Sequence, residues 1–371
     1  MKPPFEWDPF SDQPKVIFDK SFKRQLRMRF ISDYLKMAAT AAVVLPAAMV
    51  HSTLTKPKQT VAGAETTPST ANPTVPIDLL GMGVSLEKGP EQFDLIDELG
   101  VRHLLMRVPL WDTARLSAYQ QFAAEFRKRD KTVLVNVLQD REHIEDLALL
   151  QRKISQIFEA FSGVATEFQI GNAINRVKWG FASVQEYLQV YAVAQKVRDT
   201  QFPGLQLLGP AVIDFEYHFT ARALFNSCNI QFDRLSALLY VDRMGAPRNK
   251  QYGLFDARKK MRLLGSLTAL SPKVKQPGVY ITEVNWPLQG TAPWAPTSET
   301  ECVSREDYCS FMLDYLQVAA QSGCVDRVYW HQLIAPGYGL VDNREGQLVR
   351  SPAFNAFKDL VADAGSSAHF T

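Results

Sequence analysis

Short β-branched apolar runs alternate with longer segments of helical period from Gly81 onward, and this rhythm constrains the fold more than any other feature of the chain. Eight apolar runs predict strands: Gly81–Val84, His103–Val108, Val133–Leu138, Glu167–Gly171, Gln206–Gly209, Arg234–Val241, Gly278–Val284 and Arg327–Gln332. Eight helical segments follow them: Pro90–Leu99, Ala114–Arg129, Glu142–Phe161, Ser183–Thr200, His218–Cys228, Phe255–Leu270, Ser304–Ser322 and Pro352–Ala364. Strict alternation of this kind is typical of a parallel sheet covered by helices.

Two arrangements of such a sheet fit the pattern. Eight strands and eight helices in this length match a closed α/β barrel, the (β/α)8 TIM barrel. The alternative is an open doubly wound sheet, which is expected to carry a glycine-rich phosphate turn after an early strand. The segment GMGVSLEKG after the first strand has no third glycine at the required spacing and no pattern that opens a helix. The barrel is therefore the prediction.

The N-terminal region is basic and then apolar. Seven cations face only two acids between Lys15 and Lys36, and the uncharged run Met37–Val50 follows. That run is shorter than the roughly 20 residues that span hydrocarbon, and a helix beginning at Phe30 would include Asp33. Three arrangements are open: an uncleaved signal anchor, a cleaved signal peptide with a long basic start, and an amphipathic helix lying on the cytoplasmic face.

Placing positive charge in the cytoplasm predicts a protein anchored in the inner membrane with its barrel in the periplasm. A barrel on the cytoplasmic face of the membrane is the alternative. The segment from Ser52 to about Pro76 is rich in Thr, Pro, Ala and Ser and predicts a linker. The domain prediction is thus a basic arm with an apolar helix over 1–51, a linker over 52–77 and the barrel over 78–371.

The charge and the cysteine content restrict the kinds of partner and ligand that the sequence predicts. The formal net charge is only +2, from 41 basic and 39 acidic residues, which gives no support to a nucleic-acid partner. No paired-cysteine or paired-histidine spacing typical of a metal site occurs, so neither a metal nor a cofactor is predicted. Cys302 and Cys309 are close enough in sequence for a disulfide without requiring one.

In α/β barrels the chemistry lies at the C-terminal ends of the strands, which selects a short set of side chains. Taken in chain order, the set is Arg107, Asn172, Tyr240, Glu283 and Trp330. Each alone has a structural explanation, such as half of an ion pair or an aromatic cap. Together they bring a carboxylate, a guanidinium, an amide, a phenol and an indole to one end of the predicted barrel.

These residues and their motifs, IGNAIN, ITEVNWP and VYWHQ, resemble the clan A retaining glycoside hydrolases, especially families 5 and 39. The resemblance implies that Glu283 is the nucleophile, that Asn172 binds a sugar hydroxyl and that Arg107 keeps the nucleophile ionised. It further implies that Tyr240 positions the nucleophile and that Trp330 forms a platform for the sugar. Outside these motifs the similarity rests on the order of the elements alone.

The sequence departs from that family at one decisive position. Ala173 stands where the family carries the acid/base Glu. Retaining hydrolysis uses two carboxyl groups about 5 to 5.5 Å apart, one as nucleophile and one as proton donor. Three explanations are open: a carboxylate from a neighbouring loop (Asp214, Glu216 or Asp242) replaces it, a weakly basic leaving group such as a phosphate needs no proton, or the barrel binds glycans without cleaving them.

The loops beside this end add aromatic and basic groups. Trp286 and Trp294, on a proline-rich loop, suit stacking against sugars or a hydrophobic lid, and Trp286 is included among the predicted substrate-binding residues. Arg176 and Lys178 favour an anionic glycan or are solvated charges. The leading hypothesis is a glycoside-hydrolase-like protein acting on a cell-surface polysaccharide or lipopolysaccharide. The alternatives are a noncatalytic glycan-binding or scaffold protein of envelope assembly and a transglycosidase or lyase.

Overall fold

The computed structural model describes residues 6–15, 20–55, 75–242 and 244–367. Its centre is a closed barrel of eight parallel strands, in which each strand pairs with the next along the chain and the last pairs with the first. The strands of the barrel are β3 (Leu80–Val84), β4 (His103–Pro109), β5 (Thr132–Leu138), β6 (Glu167–Ile170), β7 (Gln206–Ile213), β8 (Arg234–Leu238), β9 (Val279–Val284) and β10 (Val325–Trp330). The predicted (β/α)8 barrel is confirmed, and all eight predicted strands are present.

Helices cover the outside of the barrel in the predicted order. They are α3 (Gln92–Leu99), α4 (Leu116–Lys128), α5 (Arg141–Glu145), α6 (Leu147–Ala160), α7 (Val184–Gln201), α8 (Tyr217–Leu224), α9 (Ala257–Leu270), α10 (Arg305–Ser322) and α11 (Pro352–Ser367). The one helix predicted over Glu142–Phe161 is two helices, because the Asp146 side chain accepts hydrogen bonds from the backbone N–H groups of Ala148 and Leu149 and starts a new helix there.

The inside of the barrel is filled by side chains in layers. An apolar layer is formed by Leu105, Leu134, Leu208, Tyr280 and Tyr329. Near the N-terminal end of the strands, the Tyr280 hydroxyl donates to Glu167 at 2.9 Å, and Arg327 forms an ion pair with Glu167 at 3.0 Å. The inside of the barrel is therefore filled below its C-terminal end, which we call the mouth.

The apolar N-terminal run is part of a longer helix, α2 (Ile31–Leu54), which is long and apolar enough to cross a membrane. Its inner side packs against α8 and α9 of the barrel. At its start, the buried Asp33 forms an ion pair with Arg222 at 2.8 Å and accepts the backbone N–H of Gln185 at 2.9 Å. Near its end, His51 lies within hydrogen-bond distance of Ser266, at 3.1 Å. The acid that a spanning helix would have to bury is thus neutralised by the barrel.

Two antiparallel hairpins lie outside the barrel and were not predicted. The N-terminal hairpin, Trp7–Pro14, consists of β1 (Trp7–Asp8) and β2 (Gln13–Pro14), and its turn is closed by Asp8, which accepts hydrogen bonds from the Phe10 N–H and the Ser11 hydroxyl. The second hairpin is formed by β11 (Val341–Asp342) and β12 (Val349–Arg350). The exposed helix α1 (Lys20–Arg29) lies between the N-terminal hairpin and α2.

The predicted linker begins later than its sequence indicated, since α2 continues to Leu54. Residues 56–74 of that linker lie outside the described residues. The chain enters the barrel through a short 3-10 turn, Ile77–Leu79. Cys302 and Cys309 are both free thiols, so the disulfide that their spacing allowed is not formed in this structure.

Candidate active site

A cavity of about 470 Å³ opens at the mouth of the barrel. Four of the side chains that the sequence singled out line it together: Arg107, Asn172, Tyr240 and Glu283. They come from the ends of β4, β6, β8 and β9, so four separate strands converge on one hollow. Cavities of a few hundred cubic ångströms are typical of small-molecule sites.

Glu283 is held from two sides. One oxygen of its carboxylate, Oε1, accepts a hydrogen bond from the Tyr240 hydroxyl at 2.7 Å, and Oε2 accepts one from the Arg107 guanidinium. The residue is only 9% exposed, yet it lines the cavity. The carboxylate is therefore fixed in orientation and accessible from the mouth, which a purely structural ion pair sealed in the core is not.

The surroundings of Glu283 favour its ionised form. Burial alone raises the pKa of a carboxyl group, but the charge of Arg107 and the hydrogen bonds from Tyr240 and Arg107 outweigh it, so the pKa of Glu283 lies below its ordinary value. Burial, and then the charge of Glu283, raise the pKa of Tyr240 well above the usual range. At neutral pH the pair is thus a carboxylate with a phenol donor.

Asn172 is oriented by a network of side-chain amides below the mouth. Its Oδ1 accepts hydrogen bonds from Asn136 at 3.0 Å and from Gln169 at 3.3 Å, and its backbone N–H donates to Gln139. Within the described residues, its Nδ2 has no hydrogen-bond partner although it is buried. A buried donor without a partner costs stability, and Asn172 lines the cavity, which makes this amide a candidate donor to a ligand there.

Ala173 follows directly and also lines the cavity. It adopts a left-handed backbone conformation with φ of 45°, two residues after Gly171, whose φ is 83°. The turn brings position 173 to the mouth with a methyl group in place of a carboxyl group. Ala173 therefore lines the cavity at the position that the resemblance assigns to proton transfer, but its methyl group cannot donate a proton.

The three acids considered as substitutes all line the same cavity. Asp214 and Glu216 each accept a hydrogen bond from the Arg176 guanidinium, Glu216 at 2.6 Å. The second carboxylate oxygen of Glu216 accepts from Asn175 at 2.8 Å. Asp242 lies at the exposed rim. Asp214 and Glu216 thus act as acceptors for a cation, whereas a general acid has to carry a proton.

Trp286 and Trp330, which were predicted to contact a sugar, are not among the residues that line the cavity. Both indoles are essentially buried, at 1% and 0% exposure, and they stack on each other with ring centroids 6.0 Å apart. Their N–H groups donate to the Gly245 carbonyl and to the Tyr308 hydroxyl. They form core beneath α10 and do not line the cavity.

The reason lies in the alternation of side chains along a strand. Tyr329 belongs to the apolar layer inside the barrel, so its neighbour Trp330 points outward, and His331 points inward again. His331 lines the cavity and was not selected from the sequence. Counting by twos from the inward Tyr329 would have identified it.

The N-terminal hairpin supplies a wall of the cavity that no strand-end rule could find. The Asp12 carbonyl accepts a hydrogen bond from Arg107 at 2.9 Å, and its carboxylate accepts one from the Tyr338 hydroxyl at 3.0 Å. Lys88 lies 3.7 Å from the same carboxylate. Ser11, Asp12 and Gln13 all line the cavity. A segment almost 100 residues before Arg107 thus completes the site around it.

Aromatic side chains secure this hairpin. Trp7 contacts Trp179 edge-on at 5.9 Å and Trp111 at 5.7 Å, and Phe10 contacts Trp294 edge-on at 5.7 Å. Trp179 itself lines the cavity, whereas Trp294 packs against the hairpin. Trp7 and Phe10 therefore dock the N-terminal hairpin on the barrel.

The sequence matches no protein-family model and no curated protein. Solved structures are similar in fold. A family 39 glycoside hydrolase from Bacteroides cellulosilyticus superposes with a TM-score of 0.57 at 14% identity, covering 77% of this chain and 64% of that one. A family 39 β-xylosidase from Caulobacter crescentus gives 0.56 at 15%, covering 80% and 73%. A family 1 β-glucosidase from Thermotoga maritima gives 0.53 at 12%, covering 74% and 86%.

The barrel has the fold of glycoside hydrolases. The identities are too low to carry more than the fold, and the chain spans less than two thirds of the length of the Bacteroides enzyme. A shared fold does not determine function, which depends on the residues of the cavity.

The buried His331 makes the stability of this site depend on pH. Burial, and then the charge of Arg107, lower its pKa to about 4, whereas an exposed histidine titrates near 6.5. Between these pH values the unfolded chain binds a proton that the folded chain does not, so stability is full above about 6.5 and falls as the pH drops towards 4. Between pH 6.5 and pH 4, the free energy of unfolding of the His331→Gln variant should fall by about 3 kcal/mol less than that of the unchanged protein. Urea unfolding at a series of pH values measures this difference. Parallel curves for the two proteins would contradict the assignment.

Proposed function

We propose that the mouth of this barrel binds a glycan of a cell-surface polysaccharide or lipopolysaccharide and cleaves an O-glycosidic bond in it, weakly or with an atypical leaving group. One observation carries the proposal: an ionised glutamate, fixed by an arginine and a tyrosine, faces an open cavity whose lining includes Asn172, and the Nδ2 of that residue has no hydrogen-bond partner in the described part of the chain. The glycoside-hydrolase fold supports it.

The charges of the cavity favour a neutral sugar over an anionic one. Among the residues that the structure describes, five carboxylates line it against three cations: Asp12, Asp214, Glu216, Asp242 and Glu283 against Arg107, Arg176 and Lys178. Arg176 is engaged with Asp214 and Glu216, and Lys178 donates to the Gln13 side chain. The cations that suggested an anionic glycan are thus already compensated, and a phosphate leaving group would meet an excess of negative charge.

Glu283 would act as nucleophile in this reaction. Its Oε attacks the anomeric carbon, the bond to the leaving oxygen breaks, and the electron pair leaves with that oxygen, which takes its proton from water because no side chain at position 173 can supply one. Water then releases the sugar from Glu283. Arg107 and Tyr240 keep the carboxylate unprotonated and oriented, and Asn172 donates to a sugar hydroxyl.

The alternative is a noncatalytic glycan-binding protein of envelope assembly. Ala173 favours it, since general acid catalysis typically contributes two to four powers of ten to the rate. In that case the same cavity holds the sugar, and Glu283 accepts hydrogen bonds from its hydroxyl groups.

Binding and turnover can be separated with the full-length protein in detergent. It is titrated calorimetrically with neutral and anionic surface oligosaccharides, and each mixture is then examined for products by chromatography. Binding with products supports the enzyme, binding without products supports the scaffold, and failure of every saccharide to bind would remove the carbohydrate proposal altogether.

Asn172→Ala tests the unpartnered amide. We expect it to weaken binding of a saccharide identified in that titration roughly threefold to tenfold, because one hydrogen bond is lost. Asn285→Ala is the matched control. Asn285 lines the same cavity, but its Nδ2 already donates to the His331 carbonyl at 2.5 Å. Equal losses in the two variants would argue against a specific role for Asn172.

We further propose that α2 attaches the protein to a membrane. The basic block before it predicts an exported barrel, and a barrel on the cytoplasmic face is the alternative. A reporter active only in the periplasm, fused after Ser52, distinguishes export of the following chain from retention.

A further inference from the structure

Helix α2 is apolar on both sides, although only one of them is covered. Its inner side packs on the barrel, while an outer stripe remains exposed in the structure. The stripe is formed by Ile31, Leu35, Val43, Met49, Val50 and Leu54. Leu35, Val43 and Leu54 are 64%, 72% and 78% exposed. A helix that is apolar all round needs an apolar environment on every side, and a contiguous patch of this kind marks an interaction surface.

The chain before α2 contacts the barrel that the chain after α2 forms. Before the helix, the N-terminal hairpin lies in the mouth, where Asp12 contacts Arg107 and Trp7 contacts Trp179. After the helix, the chain forms the barrel itself. If α2 spanned a bilayer, these two parts would lie on opposite sides of it and the hairpin could not reach the mouth.

The helix is also fixed along the barrel at both ends. At the mouth end, Asp33 pairs with Arg222 and the Tyr34 hydroxyl donates to the Ala182 carbonyl at 3.1 Å. At the other end, Arg262 donates to the carbonyls of Ser52 and Thr55. Helix α2 is therefore about 36 Å long and lies beside the barrel from its mouth to its base.

We propose that the outer stripe of α2, together with the cations of α1, docks flat on an anionic lipid bilayer, so that the chain attaches to one leaflet and does not cross it. This rests on the membrane attachment proposed above and selects the same-side arrangement. Lys23, Arg24 and Arg29 of α1 are exposed and precede the stripe directly. An anionic bilayer offers negative headgroups to these cations and hydrocarbon to the apolar stripe. A neutral membrane or an apolar protein partner offers only an apolar surface.

This docking sets the direction of the mouth. Because α2 runs along the barrel from mouth to base, a bilayer touching its outer stripe lies parallel to the barrel axis. The cavity then opens sideways along the membrane surface, where a glycan attached to a lipid or leaving the membrane would meet it.

Vesicle sedimentation of the full-length protein tests the surface. Purified from detergent, it is mixed with vesicles of phosphatidylcholine alone or of equal parts phosphatidylcholine and phosphatidylglycerol. We expect binding to the anionic vesicles that weakens with salt. Lys23→Gln with Arg24→Gln should weaken it about thirtyfold, and Leu35→Glu with Val43→Glu should abolish it.

A charge-matched control separates the stripe from a general effect of added acids. Ala118→Glu with Gln121→Glu places two acids on exposed positions of α4 and should bind vesicles like the unchanged protein. Saccharide binding measured on the Leu35→Glu, Val43→Glu protein shows whether the barrel is intact, so loss of vesicle binding alone is distinguishable from failure of the carbohydrate proposal. Vesicle binding unaffected by this pair would overturn the proposal, as would a vesicle-free dimer that the same pair dissociates.

Topology is tested in cells on the complete chain. A reporter that is active on only one side of the membrane is fused once before Met1 and once after Thr371. Both fusions should report the same compartment. Opposite compartments would establish a spanning helix and overturn the flat arrangement, whatever the outcome with sugars.

Discussion

Glu283→Gln is expected to abolish cleavage of aryl glycosides that carry a weakly basic phenol as leaving group. The phenolate of such a substrate departs without a proton donor, so the unchanged protein should cleave the substrate with Glu283 alone. Gln at this position cannot attack the anomeric carbon. We expect the rate to fall at least about a thousandfold, to the level of the uncatalysed reaction. Phenolate release followed spectroscopically measures it, and a covalent sugar on Glu283, seen by mass spectrometry, would identify the nucleophile directly.

The same substitution tests the structural explanation of the Arg107 and Glu283 pair. Removing one charge leaves a buried guanidinium without its carboxylate, which typically costs about 3 to 5 kcal/mol, less whatever the Gln carbonyl recovers. Tyr240→Phe is a useful companion, because it removes one hydrogen bond to Glu283 and leaves the charge pair in place. A stability loss in Glu283→Gln with undiminished cleavage would show that the pair serves the fold and that the chemistry, if any, lies elsewhere.

Ala173→Glu is expected to raise turnover of alkyl glycosides by about two to four powers of ten, since it returns a proton donor to the mouth. The side chain of residue 173 lines a cavity of about 470 Å³, so there is room for a longer group. The left-handed backbone already present at Ala173 is equally available to glutamate, so the change adds little strain of its own. Kinetics on methyl and aryl glycosides of the same sugar should show the gain chiefly on the methyl glycoside.

Ala173→Gln provides the control for that gain. It has nearly the same size as the glutamate variant and cannot donate an acid proton, so it should leave the rate on methyl glycosides unchanged. A comparable rise in both variants would mean that filling the cavity, and not proton transfer, is responsible. No gain in a well-folded Ala173→Glu protein that still binds the sugar would place position 173 away from the scissile bond.

The hairpin bears on both experiments, because it forms part of the cavity that the substrates must enter. The Arg107 guanidinium donates hydrogen bonds to both the Glu283 carboxylate and the Asp12 carbonyl. Glu283 is therefore oriented partly by a segment outside the barrel. Conditions that detach the hairpin would enlarge the mouth and loosen Glu283 together. Kinetic comparisons are therefore best made on the complete chain.

The barrel and four of its mouth residues could be predicted from the sequence, because both depend on local periodicity. Alternating apolar runs and helical segments set the strand order, and the strand ends of a closed parallel barrel meet at one edge. Arg107, Asn172, Tyr240 and Glu283 were found this way. Trp330 lies outside the cavity, because side chains alternate along the strand and its neighbours Tyr329 and His331 point inward.

Other features were decided only by tertiary structure, since they join residues far apart in the chain. Asp12 and Arg107 are 95 positions apart, and no local pattern indicates that a short aromatic hairpin docks in the mouth. The apolar composition of α2 shows that the helix avoids water. It does not show which surface covers the helix. Its burial against α8 and α9, with Asp33 paired to Arg222, follows from the complementary surface that the folded barrel presents. Periodicity reports which elements form, whereas charge pairing and packing between distant segments decide where they lie.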